Sequence, residues 1–354
     1  MQRGRFQPCG RSIRLTRRNL VLGGAASLLC APGIVRGESG LRPIRFASVG
    51  GITDAAVYLA EERGYFREAG IGVQMDQMAS APTITAAIAT GQVDVAGIAV
   101  SPGMYAAAQR GISLRIVGDK QSIRPGFSAI SMLLAKRLEN DWKRDGFEVL
   151  RKRKLAISAK ASTAYFMARR FLAAHSLSES DVELVELAYP DMLPALVNGA
   201  VDVVHGLEPF SSRIVASGAA MKISDLTEVL PPGGYTLVPL VYSEQFAATR
   251  KDAQAFMDGY LRGARDYNDA FGKSIGRDTA VEVIARRAKL PVDLVRSVSP
   301  SGLDPDQKVS MRGLEEFQSF FSAQGYLQSE TNVASLVDTS FAEDAVRRFG
   351  AYQG

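Results

Sequence analysis

The residues that could do chemistry in this chain are few and mostly neutral. Among 354 residues there are two His (His175, His205) and two Cys (Cys9, Cys30). That is too little for a zinc site, an iron–sulfur cluster or a disulfide framework. No G-x-S-x-G, H-E-x-x-H, Walker or G-x-G-x-x-G motif occurs, so nucleophile, zinc-hydrolase and nucleotide readings lack support. What recurs is a small hydroxyl residue, glycine or carboxylate directly after a β-rich run. These places are Gly50-Gly51-Ile52-Thr53-Asp54, Ala79-Ser80-Ala81-Pro82-Thr83, Val100-Ser101-Pro102, Ser158-Ala159-Lys160-Ala161-Ser162-Thr163, Tyr189-Pro190-Asp191 and Leu207-Glu208-Pro209.

A Ser or Thr at such a place either caps the following helix or hydrogen-bonds a ligand, and capping alone is the commoner role. Two ligand chemistries fit the set. A sulfonate or carboxylate would be held by helix N-termini and hydroxyls, since an anion satisfies several free N–H donors at once. A planar nitrogenous or aromatic solute would instead stack on Tyr165, Tyr189, Phe127 or Phe210 and pair with Asp191 or Glu208. Carboxylates at Asp54, Asp191 and Glu208 oppose the anion.

The elements that must position these residues alternate short β-rich runs with helical stretches, the pattern of an α/β fold. Strands are predicted at 44–49, 72–78, 93–99, 114–118, 155–158, 182–187 and 236–242. Helices are predicted at 54–69, 82–90, 102–110, 162–175, 191–197, 251–271, 277–288, 291–298, 305–323 and 341–349. Many of the helices stop at a Gly, as a left-handed cap requires. Part of the pattern repeats. Ala87-Ile88-Ala89-Thr90-Gly91-Gln92-Val93-Asp94-Val95 is echoed by Ala195-Leu196-Val197-Asn198-Gly199-Ala200-Val201-Asp202-Val203, with Pro102 and Gly111 echoed by Pro209 and Gly218. Two halves of similar fold are expected. In parallel α/β sheets ligands sit beyond the carboxyl ends of strands, which selects Gly51, Thr53, Asp54, Ser80, Ser101, Ser158, Ser162, Thr163, Tyr189, Asp191 and Glu208 as ligand-binding candidates.

The formal charge of +5 belongs to the first 37 residues, which hold seven Arg and no Lys, Asp or Glu. Without them 35 basic residues face 37 acidic ones, so nucleic-acid binding loses its support. Thr16-Arg17-Arg18-Asn19-Leu20-Val21-Leu22 resembles a twin-arginine export signal, and the apolar stretch after it is too short for a permanent span. Val35-Arg36-Gly37 offers small residues for a signal peptidase. The expectation is a signal peptide over 1–37, cleaved near Gly37, and a periplasmic product. Both Cys lie in this leader, which leaves a thiol-free mature chain suited to an oxidising compartment.

Tyr58-Leu59-Ala60-Glu61-Glu62-Arg63-Gly64-Tyr65-Phe66, followed by Gly70-Ile71-Gly72-Val73, resembles the opening of solute-binding proteins of ABC importers. The subgroup is the sulfonate/nitrate/taurine and pyrimidine-precursor type. Gly91-Gln92-Val93-Asp94-Val95 and Tyr189-Pro190-Asp191 resemble its later motifs. The resemblance implies a two-lobe periplasmic-binding-protein fold of type II, each lobe a mixed sheet flanked by helices, joined by two hinge crossovers. It places lobe 1 at 41–124 plus 235–354, with the C-terminal helices packed on it, and lobe 2 at 125–234. The implied function is capture of a small organic solute by hinge closure and its delivery to an ABC permease in the inner membrane, by a monomer that uses neither cofactor nor metal. Two alternatives stay open. One is an exported ligand sensor. The other is an enzyme on the same fold, of pyrimidine-synthesis or lyase type, whose chemistry would rest on His175, His205 or the acidic set.

Overall fold

A computed structural model of the chain describes residues 40–112 and 114–354. The expected signal peptide and its cleavage site lie outside them. Among the described residues ten strands form two five-stranded sheets. The first contains β1 (Arg42–Ser48), β2 (Ile71–Gln77), β3 (Val95–Gly97), β4 (Leu114–Ile123) and β10 (Tyr235–Ser243) in the order β2-β1-β3-β10-β4. The second contains β5 (Ile130–Ala135), β6 (Lys154–Ile157), β7 (Glu183–Glu186), β8 (Val203–Leu207) and β9 (Ala220–Ser224) in the order β7-β6-β8-β5-β9. In each sheet the first three strands are parallel and the fourth runs antiparallel to both neighbours. Both are mixed sheets flanked by helices, the fold class expected from the sequence.

The repeated Val-Asp-Val has a structural cause. Asp94 accepts the Arg45 backbone N–H at 2.8 Å and returns its own N–H to the Arg45 carbonyl at 3.0 Å. Asp202 does the same with Lys154, at 2.9 Å in both directions. Each carboxylate thus ties the start of the third strand in its sheet to the neighbouring parallel strand. The glycines before them, Gly91 and Gly199, sit at φ +69° and +76°, where a side chain is strained.

Several elements differ from the sequence expectation. The helix predicted over 54–69 breaks into Ala55–Glu62 and Tyr65–Glu68, because Gly64 adopts a left-handed conformation between them. β3 shrinks to three residues, whereas β4 extends to Ile123. The 305–310 stretch is not helical, and the last long helix starts at Met311 behind a Ser310 cap. β5, β9 and the Glu139–Asp145 helix have no counterpart among the predicted elements.

Apolar packing among the described residues forms three clusters. One lies on the far side of the first sheet, where Phe46 and Phe66 meet Phe256 of the Arg250–Gly272 helix. A smaller one backs the second sheet. The central cluster joins the two sheets: Phe166 packs edge-on against Phe317 and Tyr235, with ring centres at 4.7 Å and 5.4 Å. The space between the sheets is therefore apolar and filled on this side, and is not a solvent gap along its whole length. The chain passes between the sheets twice, at 124–129 and at 225–234. The two crossings meet where Tyr235 pairs with Ile123. Gly234 is required there, since it sits at φ +72° and a Cβ would lie 2.1 Å from the Ile123 carbonyl oxygen.

Candidate functional site

The carboxyl ends of β1, β3, β6, β7 and β8 all point to one cavity of about 290 Å³. Val49 enters it from β1, Ala99, Val100 and Ser101 from β3, and Gln121 from β4. The second sheet supplies Ser158, the 161–164 turn, Tyr189, His205 and Leu207. Leu237 and Val238 complete the wall, because antiparallel β10 starts where β3 ends. Both sheets thus contribute the strand ends at which α/β proteins bind ligands. Its size lies at the lower end of small-molecule sites, which run from about 300 to 1,000 Å³.

Of the eleven sequence candidates, Ser101, Ser158, Ser162, Thr163 and Tyr189 line this cavity and come together. The serines differ in a telling way. Ser80 caps its helix by accepting the Thr83 N–H at 3.4 Å. Ser101 and Ser162 stand at the N-termini of the Pro102–Gln109 and Thr163–Ala174 helices, yet neither side chain caps its helix. Ser162 Oγ instead donates to the Ala159 carbonyl at 2.5 Å. Main-chain donors at the start of the Thr163–Ala174 helix consequently border the cavity at the positive end of its dipole, whereas Pro102 at the other start carries no N–H.

The other six candidates do not line it. Asp54 is fully buried in an ion pair with Lys120 at 2.8 Å and accepts the Ser48 hydroxyl at 2.6 Å. Thr53 shares that arrangement, since its carbonyl and hydroxyl each accept from Lys120 Nζ at 3.1 Å. Gly51, beside them, opens the short turn over Ile52–Asp54. Ser80 is occupied by its cap. Asp191 is exposed on the first turn of the Tyr189–Val197 helix. Glu208 faces a separate cavity of about 310 Å³ behind the second sheet, where it accepts the Ser212 hydroxyl at 3.0 Å. Among the four stacking candidates only Tyr189 lines the central cavity, backed by Phe210 at 6.1 Å. Tyr165 is turned toward Glu179, and Phe127 borders a third cavity with Arg124 and Lys273.

Among the described residues no ionised side chain therefore stands in the wall of the central cavity. The three carboxylates expected to oppose an anion are elsewhere, and no Lys or Arg enters either. Its polar groups are hydroxyls, the Gln121 amide and His205. From the sequence His205 reads as a catalytic candidate or a buried structural residue, and nothing there singles out Gln121. A signal for His205 was present, since Val203, His205 and Leu207 alternate onto one face of a strand that follows the repeated motif. The His205 ring is 1% exposed, and neither nitrogen has a hydrogen-bond partner. Burial pulls its pKa down to about 4, so it is neutral at pH 7.

The model of the family described as NMT1/THI5 like matches residues 53–269, well over half the chain. The chain belongs to the NMT1/THI5-like family. Among curated proteins no sequence matches it. Solved structures similar to this NMT1/THI5-like chain include a zinc-bound ligand-binding component of an ABC-type import system from Staphylococcus aureus. That match has a TM-score of 0.67 at 15% identity, over 86% of this chain and 99% of the other. The periplasmic aliphatic sulphonate-binding protein SsuA of Escherichia coli matches with a TM-score of 0.66 at 17% identity, over 84% and 92% of the two chains. The periplasmic nitrate-binding protein NrtA of Synechocystis PCC 6803 matches with 0.63 at 13% identity, over 88% and 89%. At these identities the likeness concerns the fold.

Proposed function

We propose that this NMT1/THI5-like protein is the substrate-binding component of an ABC import system, exported to the periplasm and working with a membrane permease. The observation that carries the reading is a cavity reached by the carboxyl ends of strands from both sheets and bordered by two helix starts without side-chain caps. The fold shared with binding components of ABC importers supports it, as does the twin-arginine-like leader. No helix among the described residues is long and apolar enough to cross a membrane.

In this reading residues 41–124 plus 235–354 form one lobe and 125–234 the other. The adjoining crossovers at Ile123 and Tyr235 are the hinge, and closure seals the solute between the lobes. The polar end of the solute meets main-chain N–H groups at the start of the Thr163–Ala174 helix, with help from the Ser101 and Thr163 hydroxyls. Its apolar body lies against Val49, Met167, Leu237 and Val238. Asp54 belongs to the scaffold in this account, and Ser101, Ser158, Ser162, Thr163 and Tyr189 form the contact set. The test is a thermal-shift panel of sulfonates, carboxylates, amides, nitrate and pyrimidines on the purified protein. At least one small solute should raise the melting temperature, because binding to the native state alone stabilises it by mass action. A flat panel, with no solute retained on the protein purified from its own host, would overturn the reading.

A further inference from the structure

Among the described residues, Gln121 is the one side chain of the central cavity wall that is buried, polar, open to solvent and unused by the protein. It is 7% exposed and enters the wall from β4. No described group hydrogen-bonds its amide, yet neither amide atom is among the buried polar atoms sealed from solvent. His205, the other buried polar side chain of the wall, has both ring nitrogens sealed. The neighbours of Gln121 on the strand are engaged, Lys120 with Asp54 and Ser122 with Asp119. The pairing of β4 with β10 slips on both sides of the Val238–Gln121 pair, and such an irregularity re-aims a side chain. Val238, facing Gln121 in that pair, lines the cavity too. An apolar residue would fill this place in a largely apolar wall without burying an idle amide. The unfilled hydrogen-bonding capacity faces the space that a solute would take.

We propose that Gln121 is a specificity-determining residue of the solute site: its amide hydrogen-bonds a polar group of the bound solute from the first sheet, while Ser158 and Thr163 serve it from the second. This rests on the cavity being the solute site. The amide offers two N–H donors and one carbonyl acceptor, and it carries no charge. It therefore serves the oxygens of a sulfonate or carboxylate as well as the edge of an amide or pyrimidine. What it selects is a polar group, over a hydrocarbon one, at this place in the cavity. Hydrocarbon set against Gln121 takes water from the amide and returns no bond, which weakens binding. Gln121 also stands two residues before Ile123, where the crossings meet, so the bond ties the solute to the strand that runs into the hinge.

The test compares the full-length protein with Q121M, which keeps the length of the side chain and removes its hydrogen bonds. Solute-free Q121M should melt at the wild-type temperature or higher, since the amide bonds nothing in the protein. The probes are benzenesulfonate, benzoate, benzamide and uracil, titrated by calorimetry. The probe that wild type binds most tightly should bind Q121M about tenfold more weakly, the worth of one buried hydrogen bond. In the wild-type complex the Gln121 side-chain ¹⁵N–¹H signals, assigned by their loss in Q121M, should move. A clearly lower melting temperature of solute-free Q121M would make the amide a structural group and overturn the proposal. Equal affinity in Q121M, or unmoved Gln121 signals, would overturn it too. In those cases A161W, which fills the cavity, separates the two readings: binding lost in A161W leaves the cavity reading standing, and binding kept removes it as well. If none of the four binds, a stabilising solute from the wider panel takes their place. If the whole panel is flat, the role of Gln121 and the cavity reading fall together.

Discussion

Lys120 and Asp54 form an ion pair at 2.8 Å with both side chains almost wholly excluded from solvent. The lysine reaches Asp54 by running through space that Gly97 leaves empty, since a Cβ on Gly97 would lie 2.2 Å from Lys120 Cδ. It then donates to the Thr53 carbonyl and hydroxyl, so the turn after β1 is anchored to β4. Breaking a buried pair from one side strands a charge. K120M or D54A should therefore each cost about 3–5 kcal/mol in denaturant unfolding. G97A should cost a comparable amount by displacing the lysine. Wild-type stability in any of these would show that the pair does not anchor the turn.

In the proposed function the serines separate into caps and solute contacts, and two measurements on the same variants distinguish them. S80A should lose about 1 kcal/mol of stability with unchanged solute affinity, because its hydroxyl caps a helix. S101A and T163A should keep their stability within about 0.5 kcal/mol, as surface changes away from caps usually do. Their solute affinity should fall several-fold. The reverse pattern would return Ser101 to a capping role.

Acidity acts on two buried groups in opposite directions. The His205 pKa is held down at about 4 by burial, whereas the unfolded ring titrates near about 6.5. Between those values the unfolded chain binds a proton that the folded one refuses, so this group removes stability as pH falls. Burial pushes Asp119 up to about 7, although the Ser122 hydroxyl at 2.7 Å and the Asp304 N–H at 2.8 Å favour its charge. The folded chain there holds a proton that the unfolded chain lacks, which adds stability as pH falls from about 7 toward 4. D119N should melt higher than wild type at pH 8 and no higher at pH 5. H205M should lose less stability than wild type between pH 7 and 4.5, by at most about 3 kcal/mol. A constant offset across pH would contradict burial as the cause.

At the crossing of the two connections, Gly234 meets the Ile123 carbonyl oxygen with no room for a methyl group. G234A must shift one strand against the other and adopt a positive φ. A cost of about 1–3 kcal/mol is expected. If these crossings form the hinge, solute affinity should change as well. Altered stability with unaltered affinity would remove this contact from the hinge.

Much of the architecture was legible because periodicity and glycine caps act locally. The Arg277–Ala288 helix appears with its predicted bounds, and the Val-Asp-Val repeat marked the third strand of both sheets. β5 and β9 were not legible. β5 is buried along its whole length and reads as a plain apolar run, and β9 is a short edge strand. The site was half legible. The rule of strand ends selected loops from which five candidates meet in one cavity. The carboxylates stand away from that cavity, because charge alone does not tell which face a side chain takes: Asp54 finds Lys120, which is 66 positions away, and Glu208 turns to the back of its sheet.

The claim on which everything depends is that a solute sits between the sheets in the central cavity. Ala99 and Ala161 are exposed residues on its wall, one from each sheet, and a tryptophan at either place would fill the space without disturbing the core. The decisive measurement compares melting temperatures of wild type, A99W and A161W with and without a solute that stabilises the wild type. The account predicts that both variants fold and melt normally while the solute no longer raises their melting temperature. The same increase in all three proteins would place the binding site elsewhere and contradict it.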